Sequence, residues 1–176
     1  MTTVSNEYGG ALFLLASSED ISETVLDSLN TAAAVFRENP EYIDFLRAPN
    51  IPFEERLSAI SSAFDGKVHK YVSSFIKLLT EKGHIKEFFA CISEYKKRYD
   101  AYLGISRARV TSAVKLSDKK IKALQNKLEV LTGHKVVMDC EVQKELLGGI
   151  VVRIDGKILD GSLKARIEGI REELQK

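Results

Sequence analysis

The sequence has no tryptophan, only two cysteines and three prolines, and no long apolar segment. A transmembrane helix is not expected, because it would need a run of about 18 apolar residues. The opening residues MTTVSNEYGG lack the basic and apolar regions of a secretory signal. Cys91 and Cys140 are far apart, in no metal-binding or redox spacing, and both fall in apolar periodic stretches. We therefore predict two buried free thiols and a reducing compartment.

Motifs for catalysis and cofactor binding are also missing. A phosphate-binding loop needs an earlier glycine at fixed spacing and a hydroxyl residue directly after Gly-Lys, but valine and isoleucine stand at those positions around Gly156-Lys157. No Gly-x-Ser-x-Gly motif occurs. The three histidines have no cysteine or carboxylate at ligand spacing: His69, His84 and His134. The sequence predicts no catalytic residue, no cofactor, no metal site and no small-molecule ligand.

The charge is divided unevenly along the chain. Residues 1–104 contain 11 basic and 15 acidic residues, whereas residues 105–176 contain 15 basic and 10 acidic residues. The net charges are therefore −4 and +5, although the whole chain carries only +1. This change of character predicts two domains, 1–104 and 105–176.

The first domain has the spacing of helices throughout. Apolar residues recur at steps of three and four, first at Tyr8, Ala11, Leu12 and Leu15, and later at Val72, Phe75, Ile76 and Leu79. Three prolines divide the middle of this region into short segments, and glycines end the later ones. About six helices with short connections predict a helical bundle.

The second domain changes to the period of strands. Residues around Val110 alternate as far as Val114, and a helix that Ser117 can cap follows and ends at Gly133. Alternation returns around Met138 and again in two short strands joined by Asp155-Gly156, a strong hairpin signal. A last helix is predicted from Leu163. The fold class is therefore α+β, with a six-helix bundle followed by a small domain in the order strand, helix, strand, hairpin, helix.

The basic second domain raises the alternative of a two-domain RNA-associated protein. Five lysines surround its predicted helix: Lys115, Lys119, Lys120, Lys122 and Lys127. However, no Phe, Tyr or Trp follows Tyr102, so the domain has no such aromatic ring on which bases could stack. We interpret the lysines as a solvated helix face and predict no nucleic-acid partner.

Two helices of the first domain have apolar stripes wider than a core face requires. Phe13 and Leu14 extend the first stripe, while Tyr71 and Leu78 extend the later one. Wide burial in the core explains such stripes. A groove that receives an amphipathic helix of a partner is the functional alternative.

Three segments resemble the delta subunit family of F-type ATP synthases, known in mitochondria as the oligomycin-sensitivity-conferring protein. These are YGGALFLLA from Tyr8, FIKLLTEKGHI from Phe75, and LLGGIVVRIDGKILDGSLKARIEGIREEL from Leu146. The third is the specific signature, and its characteristic residues are Gly148, Gly149, Asp155, Gly156, Asp160, Gly161 and Ser162. Gly9-Gly10 departs from the family, which more often has helix-favouring residues there.

The resemblance implies a non-catalytic stator subunit in the peripheral stalk. The helical domain would bind the N-terminal helix of an alpha subunit between its first and fifth helices, and the second domain would hold the C-terminal region of the b subunit. Carried onto this sequence, the groove comprises Tyr8, Ala11, Leu12, Leu15, Phe75, Leu78 and Leu79. Such a link resists rotary torque, so that proton flow is coupled to ATP synthesis.

The resemblance also implies a location. The protein would lie at the cytoplasmic face of the bacterial cell membrane and associate with the membrane only through the complex. The RNA-associated protein remains the alternative, and a small enzyme would need a pocket with perturbed carboxylates.

Overall fold

The computed structural model describes residues 3–163. The chain divides into two compact units between Tyr99 and Asp100. The division falls within the helix that precedes Gly104, the residue at which the sequence placed the domain boundary.

The first unit is a helical bundle. Within the described residues, six helices and one 3-10 turn (Ile85–Glu87) follow one another: α1 Thr3–Ser18, α2 Ser22–Glu38, α3 Pro40–Arg47, α4 Phe53–Phe64, α5 Lys70–Glu81 and α6 Phe88–Tyr102. Pro40 occupies the first turn of α3, where a missing N–H costs no hydrogen bond. The predicted six-helix bundle is confirmed.

The core of this bundle is aromatic at its centre. The ring of Phe36 contacts the rings of Phe64 and Phe88 at centroid distances of 5.5 and 4.9 Å. Tyr95 is fully buried, and its hydroxyl donates a hydrogen bond to the carbonyl oxygen of Ser22 at 2.9 Å. These contacts join α2, α4 and α6, so residues from distant parts of the sequence form one core.

Helix α1 runs without a break through Gly9-Gly10, although glycine is a poor helix former. Both glycines are buried. A Cβ on Gly9 would lie 2.5 Å from the carbonyl oxygen of Cys91, and one on Gly10 would lie 2.7 Å from the guanidinium carbon of Arg98. The glycines therefore allow α1 to approach α6 more closely than any side chain would permit.

The second unit is built on a mixed four-stranded sheet. Its elements within the described residues are β1 Ile105–Ser112, α7 Asp118–Thr132, β2 Lys135–Val142, β3 Ile150–Ile154 and β4 Lys157–Asp160. The strand order is β2-β1-β3-β4, in which β1 is parallel to β2 and antiparallel to β3. The predicted order is confirmed up to the hairpin β3–β4, and the last predicted helix lies outside the described residues except for Leu163.

The second core is small and lies between the sheet and α7. Ala108 and Val110 of β1 are buried there with Leu128 of α7, Val136 of β2 and Val152 of β3. Helix α7 begins after Ser117, whose side chain makes no capping hydrogen bond, and ends at Gly133 as predicted.

The residues of the C-terminal signature form turns and a close backbone crossing. Asp155 and Gly156 both have positive φ, 48° and 78°, as a tight hairpin turn requires. The segment after Gly148 runs beside the segment at Gly161, because the Gly161 N–H donates to the Ile150 carbonyl at 2.9 Å. Asp160 Oδ1 accepts a hydrogen bond from the Ser162 N–H at 2.8 Å.

Two expectations about the strands are wrong. Strand β1 ends at Ser112, whose hydroxyl donates to the Val114 carbonyl, so Val114 lies outside the strand and is exposed. Cys91 is buried as predicted, but Cys140 is exposed. Cys140 lies in the second half of the edge strand β2. Helix α7 contacts the first half of that strand, where the Gln125 side chain donates a hydrogen bond to the Val136 carbonyl.

Candidate functional site

An apolar cleft opens between α1 and α5 on the surface of the first unit. Its volume is about 230 Å³. Its lining residues are Tyr8, Ala11, Leu12, Leu15, Tyr71, Ser74, Phe75 and Leu78. Leu15 and Leu78 each leave about two-fifths of their surface exposed, at 42% and 39%. Leu12 and Phe75 of the lining belong to the core, while Leu15 and Leu78 present apolar surface to solvent.

The period of the helix decides which residues of each helix reach the cleft. Four residues of α5 share one face because they follow one another at steps of three, one and three: Tyr71, Ser74, Phe75 and Leu78. Val72, Ile76 and Leu79 occupy the adjacent face and are fully buried. Helix α5 thus serves the core with one face and the cleft with the other, and Phe75, which is only 6% exposed, belongs to both.

The structure brings together all but one of the residues that the family resemblance assigned to the groove. Leu79 is the exception: it has no exposed surface, belongs to the core, and does not line the cleft. Tyr71 and Ser74 take part instead. The wide apolar stripe had singled out Tyr71, but Ser74 gives no signal because an isolated serine is common on any helix surface.

Polar contacts lie at the rim of the cleft. The Tyr71 hydroxyl donates a hydrogen bond to Glu19 Oε1 at 2.5 Å. This hydrogen bond raises the pKa of Tyr71, and partial desolvation adds to the effect. On the other side, the ring of Tyr8 packs edge-on against His84, with the ring centroids 5.8 Å apart. These contacts orient two aromatic rings whose apolar parts face the cleft.

The composition of the cleft suits binding rather than reaction chemistry. Its lining side chains comprise leucine, alanine, phenylalanine and tyrosine with one serine, and no carboxylate, histidine or thiol. Such a surface buries apolar groups but has no general base near neutral pH. An apolar surface of this composition suits the apolar face of an amphipathic helix.

The five lysines that raised the RNA alternative are all exposed. They lie on α7 or in the segment just before it. Within residues 3–163, no helix is long and apolar enough to cross a membrane.

Comparison with known proteins decides the family. The family model of the ATP synthase delta (OSCP) subunit matches residues 4–174. The chain belongs to the ATP synthase delta (OSCP) subunit family. The delta subunit of Lachnoclostridium phytofermentans is 30% identical over 174 residues, which cover 98% of this chain and 96% of that one. The delta subunit of Chlorobaculum tepidum is 32% identical over 170 residues, covering 97% and 94%.

The fold of this delta-family chain also matches a solved structure. A chain from the cryo-EM structure of the Toxoplasma gondii mitochondrial ATP synthase hexamer superposes with a TM-score of 0.73 over 99% of both chains, at 16% identity. That similarity concerns the fold. Together with the family match over nearly the whole chain, it gives no support to the RNA-associated alternative.

Proposed function

We propose that this chain is a non-catalytic stator subunit in the peripheral stalk of an F-type ATP synthase. Its membership of the delta (OSCP) family supports a place in that complex. It would act at the cytoplasmic face of the bacterial cell membrane and reach the membrane through its partners. Its task is mechanical: it holds the catalytic head still while the central shaft turns, so that proton flow is coupled to ATP synthesis.

The apolar cleft between α1 and α5 is the single observation on which the mode of binding rests. We propose that it receives the N-terminal helix of an alpha subunit. Leu15 and Leu78, both partly exposed, would be covered by apolar residues of that helix. Complete burial of a leucine contributes about 1.5–3 kcal/mol, so several partly exposed residues can together support stable binding.

The two units would act as two separate binding modules, one for each partner. The helical unit would bind alpha, while the unit around the β-sheet would hold the C-terminal region of the b subunit. A stator must release both contacts slowly, because any dissociation lets the head rotate with the shaft. Differences in affinity arise mainly in dissociation rates, which well-packed apolar contacts lower.

Ala11→Glu tests the cleft. Ala11 lines the cleft and is exposed, so the substitution does not disturb the core. A docked helix would have to bury the new carboxylate without a partner, which is unfavourable. We expect at least about a tenfold loss of affinity, or ~1.4 kcal/mol, for a peptide of the alpha N-terminal helix in calorimetry.

Ala34→Glu is the matched control. Ala34 is an exposed alanine on α2 and does not line the cleft, so the same substitution should leave the affinity unchanged. Unchanged affinity in Ala11→Glu would exclude the cleft as the alpha site. The wider proposal fails if a pull-down from membranes with the wild-type chain recovers neither alpha nor b.

A further inference from the structure

The sheet of the second unit has one face packed against α7 and one open face in the described part of the chain. Side chains alternate along β1, so Ala108 and Val110 point to the core with α7. Arg107 and Arg109 therefore lie on the opposite face, with about half or more of each side chain exposed, at 53% and 64%.

Strand register places two arginines directly opposite each other on this open face. Arg109 of β1 pairs with Arg153 of β3. The neighbours in the same row are Asp139 of β2, beside Arg109, and Ile158 of β4, beside Arg153. Like charges that lie directly opposite across an antiparallel pair destabilise a sheet.

The charges of these two arginines are poorly compensated within the second unit. Arg109 Nε lies 3.9 Å from Asp139 Oδ2, and the Asp139 side chain is 79% exposed, so this ion pair is weak. Arg153 forms no ion pair with any described residue. Arg107 differs, because its guanidinium makes two hydrogen bonds to the carboxylate of Asp100, at 2.5 and 2.9 Å.

Apolar side chains flank the two arginines. Val137 lies on β2 beside Arg107 and is 42% exposed, while Ile158 on β4 is 63% exposed. The arginines and Val137 line a shallow cleft of about 500 Å³ on this face. Among the described residues, the open face thus combines two guanidinium groups, of which only Arg109 has a weak ion pair with Asp139, with apolar surface on either side.

We propose that this open face, defined by Arg109, Arg153, Val137 and Ile158, binds an acidic amphipathic segment of a partner protein. Carboxylates of the partner would form two-point hydrogen bonds with Arg109 and Arg153, and its apolar residues would cover Val137 and Ile158. The inference rests on the proposed function, in which the second unit holds the b subunit. To that proposed function the inference adds which surface of the second unit makes the contact, and that the b segment bound there is acidic.

The chemistry of the face favours an acidic protein over a nucleic acid. No Phe, Tyr or Trp follows Tyr102, so the face has no aromatic ring on which bases could stack. The chain itself does not enter this face at the end of the described region, because Leu163 lines a cleft beside α7, on the covered side of the sheet.

The test measures binding of the purified soluble C-terminal region of the b subunit to the full chain by calorimetry. The double variant Arg109→Glu/Arg153→Glu should lose at least about tenfold in affinity. Arg109→Gln/Arg153→Gln, which removes the charges without adding repulsion, should lose less and show a weaker dependence on salt than the wild type. Circular dichroism verifies that each variant is folded.

The matched control is Lys119→Glu/Lys122→Glu, which changes the net charge equally on the exposed surface of α7. It should bind like the wild type. Equal affinity of all variants would overturn the inference while leaving the proposed function intact. If the wild type binds no b fragment, the proposed role of the second unit fails and the inference fails with it.

Two further outcomes would assign the face to another occupant and so overturn the proposal. In the first, the wild type binds polyuridine at about 0.15 M salt, and the variant Arg109→Glu/Arg153→Glu does not. The second is that the wild-type chain forms dimers in sedimentation and this variant does not.

Discussion

The Cα of Gly9 in α1 faces the backbone carbonyl oxygen of Cys91 in α6, so closely that a Cβ at residue 9 would lie 2.5 Å from that oxygen. The next glycine in the helix, Gly10, faces a side chain instead. The guanidinium of Arg98 lies there, bound to Glu94 and Asn6 at 2.8 Å each. Two adjacent glycines therefore meet obstacles of different rigidity.

Gly9→Ala should destabilise the helical unit, because the backbone at Cys91 cannot move without shifting α6. The gain in helix propensity is about 1 kcal/mol, while overpacking costs about 1–3 kcal/mol and here leaves a net loss. Gly10→Ala should lose less, since the end of the Arg98 side chain can move. Urea unfolding followed by circular dichroism measures both. A Gly9→Ala protein as stable as the wild type would contradict the close packing of α1 on α6.

Gly149→Ala and Gly156→Ala should differ in severity although both glycines have positive φ, 87° and 78°. A Cβ on Gly149 would lie 2.3 Å from the Gly161 carbonyl oxygen, whereas one on Gly156 would meet nothing within 4 Å. We expect Gly156→Ala to cost about 1–2 kcal/mol for the strained backbone. Gly149→Ala should cost more, because the backbone crossing must also open. Hydrogen exchange of the β3 amides measures the difference, and equal protection in the two variants would contradict it.

Alkaline pH should destabilise the helical unit. Burial raises the pKa of Tyr42 and Tyr95 to about 12 and that of Cys91 to about 11, from ordinary values of 10.0 and 9.0. The folded state keeps these protons at pH values where the unfolded state has lost them. Their contribution is therefore complete below pH 9 and is lost as the pH rises towards 12. Urea unfolding at several pH values checks this.

Tyr95→Phe identifies the source of that pH dependence. The variant should be about 1 kcal/mol less stable at neutral pH, because the Ser22 carbonyl loses its hydrogen bond. Its stability should then fall less steeply above pH 9 than that of the wild type. Tyr102→Phe is the control, since Tyr102 is 61% exposed. An unchanged pH profile in Tyr95→Phe would exclude Tyr95 as a source.

Local patterns in the sequence were sufficient to predict most elements of secondary structure. The spacing of Val72, Ile76 and Leu79 predicts α5, and Asp155-Gly156 predicts the hairpin turn, because both signals depend on residues close together in the chain. The same spacing could not separate the residues of the cleft from those of the core. Leu79 and Leu78 are neighbours of identical type, and only the positions of the other helices decide that one is buried and the other partly exposed.

The strands were predicted less completely, because the environment of a strand depends on what covers it. Cys140 follows the alternation of β2, and from sequence this implies burial. In the structure β2 is an edge strand, with α7 hydrogen-bonded at Val136 and Cys140 exposed farther along. Alternation identifies the two faces of a strand but does not reveal how far a neighbouring helix extends over one of them.

The sequence by itself determined the types of the elements, their order, and membership of the family, since these follow from periodicity, turn residues and motifs that are local in the chain. Tertiary structure decided what depends on distant residues. It explained why Gly9 is tolerated within a helix, placed Tyr71 beside α1 in the cleft, and set Arg109 opposite Arg153 on the open sheet face. Contacts of this kind are fixed by how helices and strands pack, and no single segment encodes them.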